Sequence, residues 1–239
     1  MPIYRNDISS KDLPHINRLL HVLSENAHDL SELQLESCLR QKNFEVVSAR
    51  NERLMYAVAT VHFSGTLNGC YAYIDDVVVD PNVQSKGLGT AITKELILMA
   101  KERGAKWVGL TSAPKRVAAN IIYSRLMERL WSARILALKT AKISTSDLSS
   151  FLDYSNITQV VDPRDVYVVD TLMGRKAFIS NDVIKKYPPA SVLEMVWIAI
   201  AQGADSIEIV VDRENEVVAD LLLERRFIEK ETNAYKVNL

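Results

Sequence analysis

The 239-residue sequence holds only two cysteines, Cys38 and Cys70, too few for a disulfide framework and consistent with a reducing compartment. Its four histidines (His15, His21, His28 and His62) show no ligand spacing with those cysteines, so nothing indicates a structural metal. Long apolar runs are also missing. The longest, VLEMVWIAIA, is broken by Glu194 and is too short to span a bilayer. The opening MPIYRNDISSKDL has no basic segment followed by an apolar core, which argues against secretion and for a cytoplasmic protein. No Lys/Arg cluster interleaved with aromatics suggests a nucleic-acid groove. The remainder is ordinary globular composition, 48% hydrophobic and 25% charged, enough for one large or two small domains.

Charge is scarce in sum and uneven in distribution. The net value is −1, yet residues 1–145 carry 19 Lys/Arg against 14 Asp/Glu, and the rest carry 10 against 16. Two readings fit: compositional drift, or two units that attract each other.

The first half alternates between helical and strand patterns. DISSKDLPHINRLLHVLSENA begins with capping residues and then sets Ile16, Leu19, Leu20 and Leu23 on one helical face. LSELQLESCLRQKN reads as a second short helix. FEVVSAR, MYAVATVHF and CYAYIDDVVVD are β-rich runs parted by turns such as SGTLNG. A further helix aligns Leu88, Ile92, Leu96 and Met99, with Gly104 at its C-terminal cap. WVGLTS is then a strand and KRVAANIIYSRLMERL another helix. Helices interleaved with strands predict an α/β fold around a mixed sheet.

Residues 143–158, within a Ser/Thr/Asp-rich stretch of no sustained period, read as a connector between a unit over 1–142 and another over 159–239. The two units share a pattern. Aligning Ala100 with Ala199 pairs Gly104 with Gly203, Val108 with Ile207 and Leu110 with Ile209. After a one-residue insertion, Asn120 meets Asp220 and Arg125 meets Arg225. This suggests an internal duplication.

In the segment QSKGLGTA the chain passes from a strand ending at Asp80-Pro81 into a helix near Leu88. Gly87 and Gly89 clear side chains away, so backbone amides can close on a ligand. The first-turn amides and the helix dipole favour an anion there, and Lys86 adds charge. The spacing is neither a dinucleotide fingerprint nor a Walker loop. A tight turn without a ligand is the other reading of the pattern alone.

Taken with its neighbours, the stretch resembles the GNAT superfamily of acyl-CoA N-acyltransferases. Gln84, Gly87 and Gly89 follow VVVDP as in that family's loop, and LTSAPKRVAANIIYSRL puts Asn120 and Tyr123 at later motif positions. The resemblance covers roughly residues 3–138. It implies a mixed, mostly antiparallel sheet flanked by helices, with acetyl-CoA as cosubstrate. Its pyrophosphate would lie on Gln84, Ser85, Lys86, Gly87, Leu88, Gly89 and Thr90. Its pantetheine arm would lie along Val77, Val78 and Val79, between two splayed strands. The acetyl group would pass directly to a primary amine of a small molecule or a protein.

An alkyl amine is mostly protonated at neutral pH and must lose a proton before attack. The oxyanion needs N–H donors, with Val78 the expected one. The departing thiolate needs a proton, and Tyr123 falls where the family carries that acid. For the base, Asp75 matches the position where related small-amine enzymes carry glutamate, and Asp76 is the reserve. Regular strand alternation would place these two carboxylates on opposite faces. Asn120 would either contact the pantetheine amides or cap the adjacent turn.

The sequence also departs from the family pattern. RLMERLWSARILALK lacks the expected glycine, whereas the chain's end, ERRFIEKETNAYKVNL, resembles the family's usual ending better. Either the second unit is a partial GNAT-like copy or the terminal strands cross over to complete the first. In the second unit Lys186 and Pro188 stand where Gly87 and Gly89 would be, and Leu223 stands for Tyr123. That unit is expected to lack a cosubstrate site and to support the first by direct contact. It would take the place of a partner in a homodimer or shape the acceptor pocket. A catalytically weak pseudoenzyme, or an acyl-CoA-responsive binding module, is the alternative function.

Overall fold

A computed structural model describes residues 1–66, 69–130, 133–139, 161–163, 166–179, 181–212, 214–230 and 232–239. The expected connector, 143–158, lies outside the described residues. The chain forms two compact units. One is Met1–Arg129 with Asp170–Met173 and Asn233–Leu239; the other is Leu130–Val169 with Gly174–Thr232.

In the first unit β1 (Ile3–Arg5) precedes two helices, α1 (Leu13–Leu23) and α2 (Glu32–Arg40). A capping box starts α2: the Gln34 amide donates to the Ser31 hydroxyl, and the Ser31 amide donates to the Gln34 side chain. The β-branched runs become β2 (Phe44–Arg50), β3 (Met55–Thr66) and β4 (Gly69–Val79). Then come α3 (Leu88–Glu102), β5 (Ala105–Ser112), α4 (Val117–Leu126) and β6 (Glu128–Leu130). The expected long helix over 115–130 therefore stops at Leu126, and Met127 is already extended.

The second unit contains β7 (Ala133–Lys139), most of β8 (Tyr167–Thr171), β9 (Gly174–Ile179) and the short α5 (Asn181–Ile184). It continues with α6 (Ser191–Ala201), β10 (Ser206–Asp212), α7 (Glu216–Leu223) and β11 (Ile228–Lys230). The last strand, β12 (Asn233–Asn238), returns to the first unit.

The sheets are ordered β1-β2-β3-β4-β5-β12-β6 and β11-β7-β10-β9-β8. β12 lies antiparallel to β5, with Tyr235 opposite Leu110, while β7 lies antiparallel to β10 and β11. Residues 1–142 were expected to form one unit, but β7 pairs in the second sheet and the chain's final strand fills the corresponding place in the first. This is the crossover reading of the terminal strand. Local sequence does not encode it, because an alternating apolar strand fits either sheet and its partner is chosen by distant pairing.

Two cores hold the first sheet. On one face Ala72, Ile74, Val108, Leu110 and Tyr235 pack with Ile92 and Leu96 of α3 and Tyr123 of α4. On the other, Phe44, Val46, Val58 and Val78 pack with Ile16, Leu19 and Leu20 of α1, Leu35 of α2 and Leu172. No described helix is long and apolar enough to cross a membrane.

Candidate active site

β4 and β5 run parallel and pair from Cys70/Ala105 to Tyr73/Gly109; the described register ends there. Beyond it, no pairing between Ile74–Val79 and Leu110–Ser112 is present among the described residues. A β-bulge interrupts the β3–β4 ladder. Thr60 faces Asp75, but Val58 faces Val78, and Asp76 takes a left-handed φ of 51°. Aspartate tolerates that region better than most residues.

The bulge reverses the strand's facing. Before it, Ala72 and Ile74 face the α3 core; after it, Val77 and Val79 do, while Val78 joins the α1 core. The expectation that Asp75 and Asp76 occupy opposite faces is therefore overturned. Asp75 pairs with Thr60, and Asp76 Oδ2 accepts the Thr60 hydroxyl at 3.4 Å, so both carboxylates lie on the Thr60 side. Asp76 Oδ2 also accepts the Leu172 amide at 3.0 Å.

Ladder phase distinguishes the three valines. The Asp80 amide donates to the Tyr56 carbonyl at 2.7 Å. In an antiparallel ladder, Val78 shares that phase and turns its amide toward Val58, whereas Val79 turns its amide away from β3. Val78, the expected oxyanion donor, is thus committed to β3.

Downstream, Asp80 anchors the loop. Its carboxylate accepts the Asn82 amide at 2.9 Å and Arg18 Nη1 at 2.5 Å, and it is buried. Gln84 donates its side-chain amide to the Val79 carbonyl at 3.3 Å. Ser85 (φ 65°) and Gly87 (φ 80°) are both left-handed, and Gly87 is the N-cap of α3. Among the described residues the amides of Ser85, Lys86 and Gly87 find no acceptor. The first-turn amides of Leu88, Gly89 and Thr90 have none available within the helix.

The two glycines do different work. A Cβ on Gly87 would meet nothing within 4 Å, so space there is open to a ligand. A Cβ on Gly89 would lie 3.0 Å from Ile122 Cδ1, so this glycine lets α3 pack closely on α4. Lys86 is exposed, Leu88 is buried beneath the loop, and Thr90 is half-buried.

Tyr123, on α4, is buried, and burial pushes its hydroxyl up to about 12, with the Asp75 charge adding to the rise. Asn120, one turn earlier, is fully engaged. Its Nδ2 donates to the carbonyls of Ala113 (2.8 Å) and Arg116 (2.9 Å). Its Oδ1 accepts from Tyr235 Oη (2.8 Å) and Asn233 Nδ2 (2.9 Å). Both hydrogens and both lone pairs are used, and the two bonds from Nδ2 tie the turn that enters α4. The sequence reading missed Tyr235 and Asn233; the only available signal was that the chain's end resembles a family ending.

In the second unit, the segment that the sequence alignment sets against this loop bonds largely to itself. The amides of Lys186, Tyr187, Ser191 and Val192 donate to the carbonyls of Val183, Ile184, Pro188 and Pro189. Pro188 and Pro189 have no amide hydrogen to offer.

The amides without acceptors thus lie at the start of α3, in the chain segment that joins β4 to β5. Residues 14–127 match the model of the acetyltransferase (GNAT) family. This stretch is a GNAT acetyltransferase domain. Acetyl-CoA is the cosubstrate of that family.

Several solved acetyltransferases are similar in structure over about half the chain. An aminoglycoside acetyltransferase from an uncultured soil metagenomic sample is 24% identical, covering 52% of this chain and 85% of its own, with TM-score 0.46. A Trypanosoma brucei acetyltransferase is 22% identical, with coverages of 52% and 91% and TM-score 0.45. A ribosomal-protein-alanine N-acetyltransferase of Brucella melitensis is 17% identical, with coverages of 53% and 91% and TM-score 0.44. No curated protein matches the chain.

Proposed function

We propose that the GNAT domain moves an acetyl group from acetyl-CoA to a primary amine of a small molecule or a protein, with one site per chain. The observation that carries this reading is the row of acceptor-less amides at Ser85, Lys86 and Gly87, following the stretch of β4 that has no described pairing with β5. The pyrophosphate takes these amides and the first turn of α3, with Lys86 alongside. The pantetheine arm pairs with the Val77–Val79 edge, where Val79 turns its amide outward.

Asp75 removes a proton from the incoming ammonium group, directly or through one water, since aspartate is one methylene shorter than glutamate. The amine nitrogen attacks the thioester carbon, and the oxyanion takes an amide of the Val77–Val79 edge on the outward phase. As the C–S bond breaks, Tyr123 gives its proton to the departing thiolate. A hydroxyl held near 12 stays protonated at neutral pH, as that role requires.

The second unit reads as a degenerate copy. β4-α3-β5-α4-β6 is matched by β9-α6-β10-α7-β11: parallel neighbours, then one antiparallel strand inserted in the same place. Gly104 (φ 73°) and Gly203 (φ 81°) end corresponding helices. With the amides of Lys186, Tyr187, Ser191 and Val192 taken and prolines at 188 and 189, this copy is read as having lost the cosubstrate loop.

The test is a mass-spectrometric screen of polyamines, amino sugars and lysine or N-terminal peptides incubated with isotope-labelled acetyl-CoA. Label on an amine nitrogen supports the reading. Acetyl-CoA binding without transfer to any of these would favour an acyl-CoA-responsive module instead.

A further inference from the structure

The active helix is tied to the far end of the chain. The Tyr235 ring lies against the Tyr123 ring, with centroids 5.5 Å apart and planes at 59°. Tyr235 is 2% exposed, and its hydroxyl donates to Asn120 Oδ1 at 2.8 Å, one helical turn before Tyr123. Asn233 Nδ2 donates to the same oxygen at 2.9 Å, and Asn233 Oδ1 accepts from Arg129 of β6. Asn120 in turn holds the entry of α4 through the carbonyls of Ala113 and Arg116. β12, which carries Tyr235 and Asn233, is an interior strand beside β5.

Each link has a physical consequence. Tyr123 has a ring neighbour that limits its tilt, and among the described residues its own hydroxyl takes no hydrogen bond that would fix it. Its orientation therefore depends on the ring beside it. That ring is fixed at its far end by Asn120, whose four hydrogen-bonding positions are all filled. A tyrosine acid must point at one sulfur, and misplacement by about 1 Å costs as much as 100-fold in rate.

We propose that Tyr235, anchored through Asn120 and Asn233, is a positioning residue that aims the Tyr123 hydroxyl at the leaving thiolate. The catalytic unit is then completed only by the last residues of the chain. This rests on the reading of Tyr123 as the general acid, and the experiment separates the two.

CoA-thiol release is measured with acetyl-CoA and the amine that turns over fastest in the screen, for Tyr123→Phe, Tyr235→Phe and the double variant. Tyr235→Phe keeps the ring and removes only the anchor. Tyr123→Phe should lower kcat about 100-fold. Tyr235→Phe should lower it about tenfold with the acetyl-CoA KM changed less than about twofold, and should add less than about twofold in the Tyr123→Phe background. Asn233→Ala should behave as Tyr235→Phe does.

A second readout needs no acceptor. In carbon-13 tyrosine NMR, the Tyr123 ring resonances should shift and broaden in Tyr235→Phe, as the ring packed against Tyr123 loses its anchor on Asn120. If Tyr123→Phe is impaired while Tyr235→Phe keeps full kcat, or if the two losses simply add, the positioning role is wrong. If Tyr123→Phe keeps full kcat, the general-acid reading fails and the positioning role falls with it.

Discussion

The Leu172 amide donates to Asp76 Oδ2 at 3.0 Å, and the same oxygen takes the Thr60 hydroxyl. Asp76 is thereby occupied in holding the bulge, whereas its neighbour Asp75 contributes to the electrostatic environment of Tyr123. Asp75→Asn should lower kcat by about 100-fold, with the acetyl-CoA KM changed little. Asp76→Asn should instead lower the melting temperature, by the loss of a charge-assisted bond worth about 2 kcal/mol, with kcat largely kept. Reversal of the two phenotypes would make Asp76 the base.

Gly87 and Gly89 should respond differently to alanine. At Gly87 there is room for a methyl group but the backbone is left-handed, so Gly87→Ala should cost about 1 kcal/mol in a denaturant melt. At Gly89 the methyl group presses on Ile122 and the strain falls on α3–α4 packing. The check is whether Gly89→Ala changes kcat through α4 more than it changes acetyl-CoA affinity.

Tyr123 gives an alkaline signature. Burial raises its hydroxyl to about 12, above its unfolded value, so the folded state holds the proton longer. The stability it contributes is full below the unfolded value, near pH 10, and is lost as pH rises through the folded one. Tyr123→Phe should therefore flatten the fall in melting temperature above pH about 10.

Asp80 gives the opposite signature. The Asn82 amide and then Arg18 hold its carboxyl below the usual range. Its contribution is present above the unfolded value and is lost as pH falls through the folded one. Asp80→Asn should lower the melting temperature at neutral pH and shrink the gap between pH 7 and acid; an unchanged acid sensitivity would remove this residue from the account.

Much of this was legible because it is local. Periodicity placed α1, α3 and β2 to β5, and the two glycines with Gln84 placed the loop. The facing of Asp75 and Asp76 was not legible, because one left-handed residue reverses strand parity and no rule of alternation anticipates it. Asn120 was found, but the partners of its Oδ1 lie more than a hundred residues away in β12. Strand pairing across that distance depends on which sheet has an open place, and an alternating sequence such as NAYKVN does not say which.

Titration calorimetry of acetyl-CoA against the intact chain and Gly87→Asp tests the central claim most directly. The intact chain should bind one acetyl-CoA. Gly87→Asp should bind at least about 100-fold more weakly, through lost amide–phosphate bonds and a like charge, with an unchanged circular dichroism spectrum. Undiminished binding by the variant, or two equal sites per chain, would contradict the account.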